Sequence, residues 1–472
     1  MGRFNEIIGY DYIKKEFEEL AFMLENRESL EEQGIHTPRG VLLYGAPDHG
    51  KKHMAKIFAA ETKRRTLFFS TFTDREEEIS DLLDFAGEMK DDGKYLVIIG
   101  DLHEMADDHS VIDAIRIFVE VTWDKDVFIM ATTNKLGPLP DALTGTGIFY
   151  RQICVGHPSL EDSRVMTKHL LKEKGLKSEV TAEDIANIFA INSYSELDAF
   201  ISNAAVHACF RSAEKSGVLS YRRRLIRDDF AKEAANINFG NLSGSEPVPE
   251  NVKRSRALHE AAHVVVGEML EPGIMGFAQI LTEGNAMEGG YASRNQDLND
   301  EINQIAISLA PHALMELGYE TDCYGSNSDV ERARGVAVTM VTENAMYGVD
   351  KIALSAENEA YSDKYLRRQE KAISRLLKEK KDEAKEILKD NGEFIEAVAD
   401  ALCDRGSILA SEIRDLRDKH TKYVDDDISG KAYAEKLAEK TGIPFEAIRT
   451  GHLTDDEWEL MVKATEEMQE ER

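Results

Sequence analysis

Cysteine is scarce in this sequence, and the few copies form no recognisable motif. Cys154, Cys209, Cys323 and Cys403 are widely spaced, and no CxxC pair occurs. A disulfide framework and an all-cysteine zinc site are therefore not indicated, and a reducing compartment is the simplest interpretation. The sequence also lacks an apolar run of about 18 residues and an apolar N-terminal segment of the signal-peptide kind. We therefore expect a cytoplasmic chain with no membrane segment.

Positive charge is also in deficit. Lysine and arginine total 58 against 88 aspartate and glutamate residues, which gives a formal charge of −30. Nucleic acids and anionic membranes attract proteins through positive surface, so neither is expected as a partner. Hydrophobic residues make up 42% and charged residues 31%, a balance that is typical of a globular chain and argues against extended disorder.

Short apolar runs alternate with helical patterns in the first third of the chain. VLLYG precedes a Gly/Pro loop and a helical segment, and the runs YLVIIGDL (95–102) and VFIMATTN (127–134) flank another helical segment at 110–121. Such alternation predicts a parallel sheet with helices on both faces. We therefore predict an α/β core over residues 1–156.

The remainder of the chain is mostly helical in pattern. Residues 157–238 predict a small helical domain, and residues 239–251, rich in Gly, Ser and Pro, predict a linker. Residues 252–422 predict a second, mainly helical domain with one hairpin near residues 277–293. The last segment, 423–472, predicts an acidic helical tail.

The most informative motif is His259-Glu260-Ala261-Ala262-His263. Positions four apart share one face of a helix, so both imidazoles can bind one zinc ion. Glu260 then lies beside the metal, where a carboxylate can act as general base. The alternative is a helix whose histidines only make local hydrogen bonds. The valines that follow predict burial, which is costly for unpaired polar groups and favours the metal site.

A catalytic zinc ion normally has three protein ligands and an open position, so a third ligand must come from elsewhere in the chain. Asp329 stands at the start of a predicted amphipathic helix, where its alternative role is to stabilise the helix N-terminus. Spacing alone does not choose among the downstream candidates, which are His312, Asp322, Cys323, Asp329 and Glu331.

The segment GAPDHGKK (45–52) has the Gly-x4-Gly-Lys frame of a phosphate loop between a strand and a helix. Gly45, Gly50 and Lys51 are present, but Lys52 stands where a Ser or Thr hydroxyl would bind Mg²⁺. A lysine cannot coordinate a cation. The loop therefore retains its phosphate-binding frame and loses one position that handles the metal.

The segment YLVIIGDLHEM shows a second loss. An ATPase needs an Asp followed by a Glu after this strand, and the sequence offers Gly100-Asp101 or Asp101-Leu102. Neither register restores the pair, so efficient ATP hydrolysis is not expected. Two interpretations stay open. The loop binds nucleotide without turnover, through Lys51 and the loop amides, or it only connects strand to helix.

Several segments in collinear order resemble the FtsH-type AAA+ zinc metalloproteases over about residues 3–422. They are FNEIIG, PRGVLLYG, MATTN with Asn134 as sensor residue, FYRQICVGHPS, NSYSELDAF, LHEAAHVVVG and SNSDVERARGVAVTMV. The resemblance implies an AAA+ α/β core with a helical lid. It also implies that a mainly α-helical, zincin-type metallopeptidase domain follows the lid.

The resemblance further implies a zinc ion bound by His259, His263 and Asp329, with Glu260 as general base. It places Gly289-Gly290-Tyr291 near an edge strand that pairs with substrate. It also implies a hexameric ring, of one subunit type or mixed with related subunits. Such a ring threads unfolded or flexible protein substrates into a peptidase chamber.

The sequence also departs from the family. Gly145 and Ile148 stand where the family has arginines that reach the neighbouring subunit's γ-phosphate, and residues 71–94 lack its aromatic-Val-Gly pore loop. The family's membrane helices do not precede FNEIIG. We therefore predict a zinc metalloendopeptidase whose AAA+ module binds nucleotide weakly or not at all. Zinc is the expected cofactor, and whether ATP is a second one stays open. The alternatives are a regulatory or scaffold subunit of a mixed ring and a nucleotide-binding switch without turnover.

Overall fold

A computed structural model describes residues 2–69, 75–105, 108–137, 139–144, 148–188, 193–216, 224–239, 248–280, 289–293, 298–321, 326–343, 363–421, 440–441 and 443. The chain divides into two compact units, Met1–Ile237 and Asn238–Arg472. Within the described residues, no helix combines the length and the apolar character needed to cross a membrane.

The first unit contains a five-stranded parallel sheet in the order β2-β3-β4-β1-β5. Its strands are β1 (Gly40–Tyr44), β2 (Arg65–Phe69), β3 (Lys94–Ile99), β4 (Asp126–Thr133) and β5 (Arg151–Cys154). The accompanying helices are α1 (Asp11–Glu25), α2 (Arg27–Glu32), α3 (Lys51–Thr62), α4 (Arg75–Glu88), α5 (His109–Val121) and α6 (Asp141–Thr144), with 3₁₀ turns at Arg3–Glu6 and Leu102–Met105. The predicted parallel α/β core is confirmed.

The central strands of this sheet are buried along most of their length. Val41, Leu42 and Leu43 of β1 are fully buried, as are most residues of 95–99 in β3 and 127–133 in β4. Strands covered on both faces need continuous apolar runs, which is why the sequence reveals them. Because β4 pairs with both β3 and β1, the segments that follow these three strands meet at one edge of the sheet.

A helical part follows the sheet in the first unit, and its last helix ends two residues past the boundary of that unit. It comprises α7 (Leu160–Glu173), β6 (Lys177–Ser178), α8 (Ala182–Ile188), α9 (Tyr194–Ser216), β7 (Arg224–Leu225) and α10 (Arg227–Phe239). A capping box begins α7, since the Ser159 hydroxyl accepts from the Asp162 N–H and the Asp162 carboxylate accepts from the Ser159 N–H. Asp162 also accepts a 2.7 Å hydrogen bond from the Tyr10 N–H, which holds the N-terminal segment against this helix.

The second unit is mostly helical. Its elements are α11 (Glu250–Leu270), β8 (Met275–Ile280), β9 (Gly289–Ser293), α12 (Leu298–Glu316), α13 (Ser326–Thr342), α14 (Asp363–Asp390), α15 (Gly392–Arg405), β10 (Ser407–Leu409) and α16 (Ala410–His420). The strands form an antiparallel sheet in the order β10-β8-β9. The pairing of β8 with β9 confirms the predicted hairpin. Most of the linker and nearly all of the tail, 240–247 and 422–472, lie outside the described residues, apart from 440–441 and 443.

Helix α11 lies at the centre of the second unit. It is buried on all sides from Arg256 to Glu268, and it packs against α12, α15, β8 and β9. Gly267 permits close packing, because a Cβ there would lie 2.4 Å from the Met275 sulfur. At the helix end the buried Glu268 carboxylate lies 2.9 Å from the buried Arg417 guanidinium. These contacts fix the helix that carries the HEAAH motif.

Candidate metal centre and nucleotide loop

Three side chains predicted to bind metal meet in the second unit. Helix α11 carries His259 and His263 one turn apart, and α13 carries Asp329. The Asp329 Oδ2 atom lies 3.2 Å from His259 Nε2 and 3.4 Å from His263 Nε2, and the two Nε2 atoms are 3.3 Å apart. All three side chains are buried. One oxygen and two imidazole nitrogens therefore form a nearly equilateral triangle.

This triangle has the size that zinc requires. Ligand atoms at about 2.0–2.1 Å from a tetrahedral zinc ion lie about 3.3–3.4 Å from one another. The donor set of two imidazoles and one carboxylate also suits zinc, and it leaves a fourth position for water or substrate. The residues present therefore fit a catalytic zinc ion. Their role as its ligands stays a prediction.

The ionisation of Asp329 suits a metal ligand. Burial alone would raise the pKa of this carboxyl group, but the two neighbouring histidines lower the pKa well below its usual range. A carboxylate that stays charged in a buried place needs a positive partner. A metal ion bound by this carboxylate and the two imidazoles would supply one.

A backbone carbonyl fixes the orientation of His263. Its Nδ1 atom lies 2.7 Å from the Ile307 carbonyl oxygen of α12. A carbonyl oxygen only accepts hydrogen bonds, so Nδ1 carries the proton and Nε2 faces the cluster with its lone pair. Hydrogen bonds of this kind set the tautomer of metal-binding histidines and increase their basicity.

Pro311 explains why the Ile307 carbonyl is available. In a regular helix this oxygen would accept from the N–H four residues later, and Pro311 occupies that position inside α12 without an N–H. The interrupted helical bond is replaced by the bond from His263. A proline that weakens its own helix thus orients a side chain of the metal cluster.

Replacing Pro311 by alanine tests this arrangement. The new N–H competes for the Ile307 oxygen, so we expect zinc affinity to fall about tenfold, the lower end of the range for hydrogen-bond partners of metal ligands. The metal-free protein should be no less stable, because proline is costly inside a helix. Competition titration with a chromogenic chelator and thermal unfolding of the metal-free chain measure the two effects.

Pro311→Gly, which also restores the N–H, should weaken zinc binding as well. Unchanged affinity in both variants would remove this role from Pro311.

Glu260 is buried next to the ligand triangle. The side chain is 3% exposed, and within the described chain its Oε2 atom has no hydrogen-bond partner. Burial raises the pKa of Glu260, and the charge of the neighbouring histidines opposes this shift only in part. A buried carboxyl group with one unpaired oxygen beside the three ligand atoms can exchange a proton with a bound water molecule.

Two of the other third-ligand candidates are described, and neither belongs to the ligand triangle. His312 of α12 is outside the cluster. Its pKa is lowered, mainly by burial and to a smaller extent by the positive charge of the nearby Lys381. Glu331 of α13 is exposed to solvent. Asp322 and Cys323 lie outside the described residues. Helix α13 begins at Ser326, three residues before the predicted start at Asp329, so Asp329 lies within its first turn.

The phosphate loop follows β1 in the first unit. Gly45 has φ +148°, and a Cβ at this position would lie 2.0 Å from the Val155 carbonyl oxygen, so no other residue fits. Gly50 has φ +77° and directly precedes α3. The buried Lys51 donates hydrogen bonds of 2.8 Å and 2.6 Å to the carbonyl oxygens of Gly45 and Ala46. Burial lowers the pKa of Lys51.

Lys52 of the phosphate loop contacts Asp101 of the segment that follows β3. The Lys52 ammonium lies 2.5 Å from Asp101 Oδ2. Strand β3 ends at Ile99, and the backbone N–H of Asp101 donates a 3.1 Å hydrogen bond to the Thr132 hydroxyl of β4. Asp101 also has a positive φ of 50°. The loop after β3 therefore places its carboxylate beside the phosphate loop.

The predicted sensor residue Asn134 contacts a residue that the sequence did not suggest. Its backbone N–H donates a 3.3 Å hydrogen bond to His103 Nδ1. A second histidine contact joins the phosphate loop to the segment after β5, where His49 Nε2 and His157 Nδ1 are 3.1 Å apart. Gly145, at a lost arginine position, lies outside the described residues.

Comparison with known proteins identifies two modules. A family model of the AAA group, the ATPase family associated with various cellular activities, matches residues 41–157. A model of Peptidase family M41 matches residues 247–416, which include the three side chains of the metal cluster and the neighbouring Glu260. The order of the modules agrees with the order predicted from the sequence.

The curated relatives carry the name ATP-dependent zinc metalloprotease FtsH. The chain is 27% identical to the protein of Mycoplasmoides gallisepticum, over 93% of this chain and 60% of that protein. It is 25% identical to the protein of Thermus thermophilus, over 87% and 70%. It is 26% identical to FtsH 1 of Thermomicrobium roseum, over 88% and 68%. The chain thus spans between 60% and 70% of the length of these relatives.

Proposed function

Because the chain belongs to the FtsH-type AAA+ zinc metalloproteases, we propose that it is a zinc endopeptidase that hydrolyses peptide bonds in unfolded or flexible protein substrates. The observation that carries the proposal is the buried triangle of His259, His263 and Asp329 with Glu260 beside it. Two helices and a backbone carbonyl hold these groups in place, so the geometry exists without substrate.

The four side chains have separate roles in this proposal. His259, His263 and Asp329 hold the zinc ion, which when bound polarises the attacking water and the scissile carbonyl. Glu260 accepts the proton of that water and later donates it to the leaving amine. Its raised pKa suits both steps, because the same group must take a proton and then release it.

Substrate binding involves strand β9. Within the described chain, β9 pairs with β8 on one side only and packs against α11, the helix of the metal cluster. An extended substrate added along the other side would be held by main-chain hydrogen bonds through Gly289-Gly290-Tyr291. Recognition of the main chain accepts many sequences, which suits a protease of unfolded proteins.

The AAA+ module serves assembly or substrate access in this proposal and does not hydrolyse ATP efficiently. The Lys52–Asp101 pair supports this, since both residues lie where an ATPase handles Mg²⁺. We infer a hexameric ring, of one subunit type or mixed with related subunits. The proposed division of the chain is a core at 1–156, a lid at 157–238, a linker at 239–251, a peptidase domain at 252–422 and a tail at 423–472.

The proposal is tested on the full purified chain. We expect about one zinc ion per chain and cleavage of an unstructured, casein-like protein. Removal of the metal with a strong chelator should abolish cleavage, and added zinc should restore it. A protein with its full zinc content that cleaves no unstructured substrate would instead favour the scaffold or regulatory role.

A further inference from the structure

The Lys52–Asp101 ion pair occupies the place where a nucleotide-bound Mg²⁺ is normally coordinated. Lys52 is the first residue after the phosphate-loop lysine, and Asp101 follows strand β3, which β4 separates from β1 in the sheet. In P-loop ATPases these places supply a hydroxyl oxygen and a carboxylate to the metal. Here the Lys52 ammonium lies 2.5 Å from the Asp101 carboxylate.

The residues present do not fit Mg²⁺. This ion requires octahedral oxygen ligands at about 2.0–2.1 Å. Lys52 offers three hydrogen-bond donors and no acceptor. Its positive charge would also repel a divalent cation from the Asp101 carboxylate. At this site the Lys52 ammonium therefore replaces the hydroxyl ligand of Mg²⁺ and itself provides a positive charge.

The phosphate-binding part of the loop is intact by contrast. Gly45 and Gly50 keep the backbone conformation that only glycine adopts easily. Lys51 is 5% exposed and lies against the loop carbonyls of Gly45 and Ala46. The loop leads directly into the 12-residue helix α3, whose N-terminus favours anions. The AAA family model also covers this segment.

The charges explain how phosphates can bind without a metal. In an ordinary site an aspartate without Mg²⁺ repels the phosphate groups, and the metal reverses this repulsion. In this chain the Lys52 ammonium already neutralises Asp101. Asp48, whose carboxylate is exposed within the loop, adds a negative charge that favours the less charged diphosphate over the triphosphate.

We propose that the phosphate loop binds nucleoside diphosphates as metal-free anions, with the Lys52 ammonium in the place of Mg²⁺. This role does not depend on the peptidase activity. It makes the AAA+ module a nucleotide-binding domain whose occupancy is independent of Mg²⁺, and it differs from both a Mg²⁺-dependent ATPase and a loop that binds nothing.

Equilibrium binding of a fluorescent ADP to the full, zinc-loaded chain tests the proposal. Fluorescence anisotropy is measured in buffer freed of Mg²⁺ by a chelating resin, which leaves the peptidase zinc in place, and in the same buffer with millimolar Mg²⁺. We expect dissociation constants that agree within about twofold. Lys51→Ala should abolish binding in both buffers, which assigns the signal to this loop.

Two variants of Lys52 isolate the internal cation. Lys52→Thr supplies a hydroxyl and uncovers the Asp101 carboxylate, so Mg²⁺ should now tighten binding by about tenfold or more. Lys52→Arg keeps the charge and should stay insensitive to Mg²⁺, and thermal unfolding verifies that both variants fold. Wild-type binding that tightens about tenfold with Mg²⁺ would overturn the proposal. Absence of ADP binding in both buffers would overturn it as well, without affecting the proposed peptidase.

Discussion

Replacing Glu260 by glutamine should lower peptide hydrolysis by about 10²–10⁴-fold, the contribution typical of a positioned general base, while zinc content stays at about one ion per chain. Glutamine keeps the shape of the side chain but cannot take a proton from water at neutral pH. The Glu260 side chain does not belong to the ligand triangle, so the variant should keep its metal. Cleavage of a casein-like substrate and elemental analysis measure the two quantities.

A matched variant separates catalysis from folding. Glu250 begins the same helix α11 and is exposed, so Glu250→Gln should leave both cleavage and zinc content unchanged. Full activity in Glu260→Gln would show that Glu260 is not the general base. Loss of zinc in that variant would instead identify Glu260 as a metal ligand.

Replacing Asp329 by asparagine should weaken zinc binding by more than the 10–100-fold that is typical for hydrogen-bond partners of metal ligands. The substitution keeps the size of the side chain and removes its charge. The two imidazoles then lose the carboxylate that lies 3.2 Å and 3.4 Å from their Nε2 atoms. Competition titration with a chromogenic chelator gives the affinity.

Glu331→Gln is the control for this prediction, because Glu331 lies two residues further along α13 and is exposed. Its zinc affinity should equal that of the wild type. An unchanged affinity in Asp329→Asn would mean that the third ligand is another residue. His312→Ala would then be the next variant to measure, since the Nε2 atom of His312 has no hydrogen-bond partner among the described residues.

Features that depend on local periodicity were predictable from the sequence. The strands were visible because buried parallel strands carry continuous apolar runs. The pair of His259 and His263 was visible because four residues make about one helical turn. Residue spacing could not select Asp329, since it comes from a separate helix 70 positions along the chain. The family resemblance singled it out, and the structure places it beside both histidines.

Backbone groups and contacts across the sheet were harder to predict. The Ile307 carbonyl carries no sequence signal of its own, although Pro311 inside a helical pattern could have indicated an unpaired carbonyl four residues earlier. The contact of Lys52 with Asp101 depends on the strand order, which places the ends of β1 and β3 on either side of β4. The sequence showed two separate departures from the ATPase motifs there, and the structure brings Lys52 and Asp101 together in one ion pair.

We propose that the zinc peptidase of this chain works without ATP hydrolysis by its AAA+ module. The most direct test measures cleavage of an unstructured, casein-like protein by the zinc-loaded chain with and without Mg²⁺-ATP, while phosphate release is followed in the same sample. We predict equal cleavage rates in both conditions, phosphate release at background, and cleavage by Glu260→Gln that is slower by about 10²–10⁴-fold. Cleavage that requires Mg²⁺-ATP and proceeds with steady phosphate release would contradict this account.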